Sequence, residues 1–377
     1  MPLEFAVLES AEALAARLAE WDALAVACRR PTCAPGWGMA WWRHAAPRGA
    51  GLRAVVVTEG DRLVGIAPFY YARRSPSGIV EYGLLAGPIT ARVEPLAEPG
   101  REAEVARAVV AALAAVRPRP ALVRFAGVPV GSPWLEHLRR GWPSDRAARV
   151  HADPPIPAPT VTLGAEDVDA YLKSRSSNFR QQMRRARRKL EKEGAVFRTA
   201  ATPEEIDRDL DAFERLHNAR WEHRGGSAAL VEGVDAMLRQ AGRDLLEDGR
   251  LRLDSIDVGG RTVSSQLYLA AGGEVTYWLG GFDDDFGSYK PALVALVEAI
   301  ADSLRRGDDR FDLGPGDQDY KYRLADGKEE LAWVTLVPPG PAHLLGRAAL
   351  APTQARRALA ARLPDDARER VKKLLRR

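Results

Sequence analysis

The segment from Glu274 to Arg323 constrains the fold most, because its pattern predicts two strands joined by one helix. A β-branched and aromatic run from Val275 to Leu279 predicts a strand that stops at Gly280-Gly281. A polar loop from Phe282 to Tyr289 follows. Pro291 then opens a helix, since the first helical position needs no N–H.

The helix that begins at Pro291 has one apolar face and a defined end. Its apolar side chains recur at helical spacing, at Leu293, Leu296, Val297, Ile300 and Leu304. Gly307 ends the helix, and Phe311–Leu313 predicts a second short strand. The turn Gly314-Pro315-Gly316 then leads into Tyr320-Lys321.

Two successive strands that part, with a helix N-terminus between them, form a slot that suits an anion. The free N–H groups and the dipole of the helix both favour negative charge there. An acyl-CoA pyrophosphate is one anion that fits such a slot. The residues predicted to hold it are Gly281, Phe282, Ser288, Tyr289 and Lys290.

The composition is that of an ordinary globular protein with enough apolar material for sizeable cores. The chain has 377 residues, of which 46% are hydrophobic, and a net charge of +4. This length corresponds to about two to two and a half domains. No apolar run reaches the ~18 residues that a membrane span needs. Glu4 and Glu9 stand where an export signal would carry Lys or Arg, so we expect a cytoplasmic protein.

The sequence predicts neither a metal site nor a covalent acyl-enzyme. Cys28 and Cys33 are too poorly spaced for zinc, and we interpret both as packing residues. His217 and His223 share a helix but have no carboxylate or cysteine at ligand spacing. The consecutive acids from Asp283 to Asp285 are more typical of a turn than of a metal site. No Ser-His-Asp or Cys-His arrangement is visible.

The order hairpin, strand, helix, strand occurs twice. In the first half a hairpin turns at Gly60 and a short strand covers Tyr82–Leu85. A helix over Glu102–Val116 and a strand over Ala121–Phe125 follow. In the second half a hairpin turns at Gly259-Gly260, and the segment described first completes the same order. We interpret this as a structural duplication; two unrelated α/β domains with common elements are the alternative.

We expect the two halves to be separate domains, at 1–160 and 161–340, followed by a helical tail at 341–377. The proline-rich segment Pro154–Pro159 between them is a linker or a crossing strand. Within the tail, Ala367–Arg377 predicts a basic amphipathic helix. This helix can pack on the body, lie on an anionic membrane surface or contact RNA, and the sequence leaves the three open.

The most charged segment, Tyr171–Gly194, predicts a helix with one apolar and one basic face. Ser177 or Asn178 can cap it and Gly194 can end it. The apolar face consists of Phe179, Met183, Ala186 and Leu190, and the basic row of Arg180, Arg184, Arg188 and Lys192. Like charges at this spacing weaken an isolated helix, which favours a polyanionic partner for the row. A solvated charged face is the alternative.

Arg220-Trp221 lies near the end of a later predicted helix. It is either a core anchor with a solvent-reaching Arg or a wall of the substrate cleft.

These stretches resemble a large bacterial branch of the GNAT superfamily, typified by acetyltransferases found with cellulose and exopolysaccharide biosynthesis genes. That branch is similar to the Fem-type peptidoglycan bridge transferases, which are tandem GNAT folds. The resemblance rests on Phe179–Gly194, the helix ending in Arg220-Trp221, Tyr277–Pro291 and Phe311–Arg323. It implies an α/β (α+β) fold of tandem GNAT-like domains, each a mixed, mostly antiparallel twisted sheet flanked by helices. It also implies acyl transfer to an amine or hydroxyl.

Three residues of the last stretch are candidates for the chemistry of acyl transfer. Lys321 occupies the position of a Fem-type lysine that faces the substrate's phosphate and reacting centre, and it can stabilise negative charge. Tyr320 can protonate a leaving thiolate, and Asp312 can act as a base or orient Lys321. The alternatives are a surface charge for Lys321, a core ring for Tyr320 and a turn former before Gly314 for Asp312.

Three functions fit these observations. The first is an acyl-CoA-dependent N- or O-acyltransferase that acts on a sugar, amino-sugar or small metabolite. The second is a Fem-like transferase that uses aminoacyl-tRNA, with the Arg180 helix and the tail on the tRNA. The third is a non-enzymatic module that binds nucleic acid or protein. Ala292 stands where the family usually has glycine, and the family's spaced-glycine pyrophosphate signature is absent, so the donor stays open.

Overall fold

The computed structural model describes residues 3–142, 147–221, 227 and 229–362, with the backbone alone at 356–362. His223 and the predicted helix at 367–377 lie outside these ranges. Within them, no helix is long and apolar enough to cross a membrane.

The described residues form one mixed sheet with helices on its faces. The strands are β1 Glu4–Leu8, β2 Gly51–Glu59, β3 Arg62–Arg74, β4 Ile79–Leu84, β5 Leu96–Ala97, β6 Leu122–Pro129, β7 Arg149–Ala152, β8 Ile156–Thr162, β9 Val196–Thr199, β10 Leu251–Val258, β11 Arg261–Ala271, β12 Glu274–Phe282, β13 Arg310–Asp312 and β14 Gly327–Val337. The α-helices are α1 Ala11–Ala15, α2 Leu18–Ala27, α3 Pro35–His44, α4 Glu102–Ala115, α5 Pro133–Arg140, α6 Val168–Ser174, α7 Ser177–Lys192, α8 Pro203–Trp221, α9 Val234–Leu246, α10 Pro291–Arg306, α11 Asp319–Leu324 and α12 His343–Arg362. Short 3-10 helices cover Pro31–Cys33 and Asp284–Tyr289.

The strand order repeats about the centre of the sheet, β1-β2-β3-β4-β6-β14 followed by β8-β13-β12-β11-β10-β9. In each half a hairpin leads to a strand, a helix crosses over, and the next strand returns parallel to the one before: β4 with β6 around α4, and β12 with β13 around α10. The other pairings between these strands are antiparallel. The predicted duplication of a mixed, mostly antiparallel sheet is confirmed.

The two halves exchange their last strands. β8 stands between the halves in sequence and pairs with β13 of the second half. β14, near the end of the chain, pairs with β6 of the first half. β8 and β14 also pair with each other, so their contact joins both halves into one sheet. The proline-rich segment is therefore a crossing strand, the second of the two predicted alternatives.

The largest apolar core also draws on both halves. Trp37 and Trp41 of α3 belong to it together with Met237 and Leu238 of α9. Gly233 lies against the carbonyl of His44, where a Cβ would come within 2.0 Å of the oxygen. The proposed division near residue 160 thus runs through a shared core.

Several predicted elements have different bounds. The amphipathic pattern of Ala11–Cys28 predicts one helix, but the structure has two, because the Arg17 N–H bonds to the Leu14 carbonyl and tightens the turn between them. The sequence also predicts a helix over Ala228–Leu246, which begins at Val234 instead, since Gly233 takes a left-handed conformation with φ 84°. The Phe282–Tyr289 loop contains a 3-10 helix, and Tyr320-Lys321 lie within α11.

The charged helix α7 confirms its predicted faces. Its four apolar residues, Phe179, Met183, Ala186 and Leu190, are buried, and the arginines point outward or lie at the boundary. Ser176, one residue before the predicted caps, accepts the Phe179 N–H. Gly194 follows the helix in the left-handed region at φ 76°.

Candidate functional site

A cleft opens where β12 and β13 part. The two strands pair in parallel from Glu274 to Thr276, opposite Arg310 to Asp312, after which β13 ends and β12 continues. The cleft there has a volume of about 430 Å³. One wall is the first-half segment 87–92, and the other consists of the end of β12, residues 312–315 and the helices α8 and α11.

Lys321 is fixed at the base of this cleft. Its side chain is buried, with 4% of the residue exposed, because α11 turns it toward the loop after β13. The Nζ atom donates to the carbonyls of Gly314 at 3.0 Å and Pro315 at 2.9 Å. Burial lowers the pKa of Lys321 to about 8, against the opposing effect of the Asp312 carboxylate. An ammonium has three N–H donors, so one is left for a substrate oxygen.

Asp312 lies beside Lys321 and is held from both halves. Its Oδ1 accepts the Gly314 N–H at 2.9 Å, so the same loop residue bonds to Asp312 and, through its carbonyl, to Lys321. Its Oδ2 pairs with the Nε of Arg92, a buried arginine of the first half. Asp312 thus fixes the loop that receives Lys321, as an orienting residue would.

Arg92 is itself held by an unusual backbone. Its φ of 61° lies in the left-handed region, which is uncommon for a residue with a side chain. Its N–H donates to Gly127 and its carbonyl accepts from the Thr32 hydroxyl, which keeps this conformation in place. The guanidinium also pairs with Glu329 of β14 at 2.5 Å. The first half therefore supplies a cation at the floor of a cleft in the second half.

Aromatic and neutral polar groups line the rest of the cleft. Burial raises the pKa of Tyr320, which keeps its hydroxyl protonated at neutral pH. Burial lowers the pKa of His217, whose Nε2 lies 2.8 Å from the Ser227 hydroxyl. The indole of Trp278 donates to the Ile89 carbonyl at 3.1 Å and so joins β12 to the first half.

Arg220 and Trp221 lie at the end of α8 and line the cleft. This position matches the cleft-wall alternative of the sequence analysis. The guanidinium of Arg220 stacks over the ring of Phe282 at 5.2 Å from its centroid. Phe282 therefore supports a residue of the cleft wall but is not itself among the described lining residues.

The other residues predicted for the acyl donor are not among the described residues that line the cleft: Gly281 lies in β12, and Ser288, Tyr289 and Lys290 lie just before α10. Gly281 packs against the backbone of α8, and the Tyr289 hydroxyl donates to Glu193 at 3.0 Å. Ser288 belongs to the 3-10 helix. Lys290 has φ 55°, and its carbonyl accepts the N–H groups of Leu293 and Val294, so those two amides of the first turn are occupied. An anion slot at this helix end stays a prediction.

The basic row of α7 forms a surface separate from the cleft. Arg184 pairs with Asp169 at 2.9 Å, Arg180 lies near the Lys173 carbonyl at 3.4 Å, and Arg188 is exposed. None of the three is among the cleft's described lining residues. A polyanionic partner on this row stays a prediction as well.

Sequence reasoning missed Arg92, His217 and Trp278 as cleft residues. Arg92 is a single arginine in an irregular segment, and only the fold brings it to Asp312. His217 was considered solely as a metal ligand. In the ranges that the structure describes, no three His, Cys, Asp or Glu residues come together in a way that could hold a metal ion.

The comparison with protein families gives one match, to the model of the acetyltransferase (GNAT) domain over residues 177–322. These residues are similar to a GNAT acetyltransferase domain. The match contains β12, α10 and β13 and ends one residue after Lys321. A comparison with curated proteins found no match.

The similarity to solved structures extends over both halves of this chain, beyond the residues that the family model matches. FemX has a TM-score of 0.60 at 12% identity and covers 84% of this chain and 95% of its own. The C-terminal domain of a putative lysylphosphatidylglycerol synthetase from Agrobacterium fabrum has a TM-score of 0.55 at 11% identity, with 91% and 96% covered. A conserved protein from Bacteroides thetaiotaomicron has a TM-score of 0.52 at 10% identity, with 89% and 100% covered. At identities of 10–12%, these comparisons show a similar fold.

Proposed function

We propose that this protein is an acyltransferase that moves an acyl group to an amine or hydroxyl in the cleft beside Lys321. One observation carries the proposal: a buried lysine with a free N–H faces a cleft where the two central strands of a GNAT acetyltransferase-fold domain part. In acyl transfer, negative charge develops on the carbonyl oxygen, and a fixed ammonium in a water-poor site stabilises it.

The neighbouring groups can assist this reaction in distinct ways. Lys321 donates to the developing oxyanion or to a substrate phosphate. Tyr320 has a protonated hydroxyl at neutral pH and can give its proton to the leaving group, and the proton that the acceptor loses on attack can restore it. Asp312 and Arg92 hold Gly314 in the loop after β13, and the Gly314 carbonyl in turn holds the Lys321 ammonium in position. No covalent intermediate with the protein is needed, because the acceptor can attack the donor directly.

The donor that we favour is acetyl-CoA or another acyl-CoA, with no metal. The family match supports this choice, since the matched domain is an acetyltransferase domain. The first turn of α10 contains no acidic residue, so the side chains of that turn do not repel an anion at its N-terminus. The residues proposed to contact the donor are Gly281, Phe282, Ser288, Tyr289 and Lys290. A sugar, an amino-sugar or a small metabolite is the proposed acceptor.

An aminoacyl-tRNA donor is a second candidate. The fold likeness to FemX and to a lysylphosphatidylglycerol synthetase domain favours it. The outward arginines of α7, Arg180, Arg184 and Arg188, would contact the RNA, and the affinity would then fall steeply with salt. The same cleft would serve both donors, because the thioester of acyl-CoA and the ester of aminoacyl-tRNA both develop negative charge on the acyl oxygen when the acceptor attacks.

Calorimetric titration with acetyl-CoA tests the choice of donor. We expect binding by the wild-type protein, weaker binding by Lys290→Glu, and little change in Lys173→Glu, a matched charge reversal on an exposed lysine of α6. The absence of binding to folded wild-type protein would remove the acyl-CoA donor. Charged tRNA would then be the ligand to titrate.

A further inference from the structure

A second cavity lies in the first half, at the position that corresponds to the cleft in the second. β4 and β6 pair in parallel up to Gly83 and Arg124, as β12 and β13 do up to Thr276 and Asp312. Beyond that point a cavity of about 560 Å³ opens. The duplication of the fold has thus produced two openings, and the proposed chemistry uses one of them.

The two openings differ in charge. The cavity contains the cations Arg74 and Arg124 and the anions Glu81 and Asp153, which cancel. The cleft beside Lys321 contains three cations, Arg92, Arg220 and Lys321, and two carboxylates face them: Asp312 in the cleft lining and Glu329, which pairs with Arg92. The cleft therefore attracts an anion, whereas the cavity suits a ligand that is polar and neutral.

The first-half opening favours a second acyl-CoA less than the cleft does. The helix that corresponds to α10 is α4, and its first turn carries Glu102 and Glu104, the latter paired with Arg101. Carboxylates at a helix N-terminus oppose a pyrophosphate that would bind there. The N-terminus of α10 has no acidic residue in its first turn and therefore suits a nucleotide better than that of α4.

The cavity walls combine hydrogen-bonding pairs with aromatic surfaces. Arg124 donates to both oxygens of Glu81, at 2.9 and 3.0 Å, which fixes a donor and an acceptor side by side. Tyr70, Phe125 and Trp333 supply the aromatic surface. Fixed donors and acceptors beside aromatic rings are what a sugar ring needs, since its hydroxyls lie at the edge and its C–H groups on the faces.

We propose that this cavity binds a neutral sugar ring of the acyl acceptor. Gly87, Pro88 and Trp333 line both openings, so the cavity and the cleft are neighbours. A ring held against Glu81 and Arg124 can extend its reacting amine or hydroxyl past Trp333 toward Lys321. That this sugar is the acyl acceptor rests on the proposed function. That the cavity binds a sugar ring does not rest on it.

Helix α12 gives the cavity its outer wall. Leu350 packs on Leu122 and Val337, and Gln354 bonds through its amide to the Nδ1 of His151 at 2.9 Å. The described part of the tail therefore packs on the body, whereas the helix predicted at 367–377 lies outside the described residues and its three alternatives stay open. In this arrangement α12 also completes a binding site.

Saturation-transfer NMR with D-glucose, D-galactose, D-mannose and N-acetyl-D-glucosamine, each without acetyl-CoA, tests the proposal. We expect transfer to at least one sugar and a loss of affinity of about tenfold in Arg124→Met and in Glu81→Gln, equivalent to one charged hydrogen bond. Arg139→Met is the matched control, because Arg139 bonds to Glu136 at the same 2.9 and 3.0 Å outside the cavity.

Two results would overturn the sugar site. One is the absence of transfer to all four sugars in folded protein. The other is an equal loss of affinity in Arg139→Met, which would show that the loss in Arg124→Met does not come from a contact between Arg124 and the sugar. Because acetyl-CoA is left out, neither result depends on whether the protein binds a CoA donor.

Discussion

Lys321 is a buried amine with two backbone carbonyls as partners, and its protonation decides what it can do. With a pKa lowered to about 8, it is an ammonium at neutral pH and loses its proton only slightly above. We expect the transfer rate to fall as the pH rises through about 8, because the neutral amine no longer stabilises an oxyanion. A pH profile of kcat for the wild type and for Lys321→Met measures this.

In Lys321→Met we expect kcat to be lower by a factor of about 10²–10³, the typical cost of removing one oxyanion donor. The falling limb above pH 8 should also vanish. A variant that retained that limb would show that another group titrates there.

The same residue makes stability depend on pH in a defined direction. Its folded pKa lies below the value of about 10.4 expected in an unfolded chain, so between these values the unfolded chain binds more protons. We expect the free energy of unfolding to increase with pH from about 8 to 10, relative to Lys321→Met. Urea unfolding of both proteins at several pH values measures the difference. A difference that stays constant over this range would contradict the lowered pKa.

At the scale of elements, the buried ion pair between Arg92 and Asp312 ties the first half to β13. Removal of one partner leaves a buried charge without its counterion, which costs about 3–5 kcal/mol. We therefore expect Arg92→Met to lower the free energy of unfolding by that amount, as measured by urea unfolding. Arg139→Met, in an exposed pair, should change it by less than about 1 kcal/mol. Equal effects of the two substitutions would contradict a special role for Arg92.

The contact between β12 and α8 depends on the absence of a side chain at Gly281. A Cβ there would lie 2.5 Å from the Leu216 carbonyl carbon and 2.6 Å from the His217 nitrogen, both backbone atoms. We expect Gly281→Ala to destabilise the protein by roughly 1–3 kcal/mol, because the helix must move away. Gly287→Ala is the control, since a Cβ there meets no atom within 4 Å. Thermal unfolding of both variants compares them.

Elements with a strong periodic pattern could be predicted from the sequence, and their relative placement could not. The apolar spacing of α7 and α10 and the hairpins at Gly60 and Gly259 gave the correct element types. The left-handed backbone of Gly233 and the short turn at Arg17 interrupt helical patterns, so the helix bounds there were wrong. Lys321 and Arg220 could be singled out from motifs, whereas Arg92 reaches the cleft only through tertiary packing.

At the scale of the whole molecule, the exchanged strands make the halves depend on each other. A fragment that contains only residues 161–340 lacks most of β8, which pairs with β13, and it lacks β6, which pairs with β14. We expect this fragment to show no cooperative unfolding transition by circular dichroism, in contrast to the full chain. Independent cooperative folding of 161–340 would support two autonomous domains. The sequence order revealed the duplication, but the exchange of β8 and β14 has no local signature.

Release of the CoA thiol from acetyl-CoA, in the presence of a panel of amines and amino-sugars, tests whether acyl transfer takes place beside Lys321. We expect acceptor-dependent release by the wild type and a loss of about 10²–10³ in Lys321→Met, with both proteins folded. Release at the same rate in Lys321→Met would contradict the assignment of the cleft beside Lys321 as the site of acyl transfer.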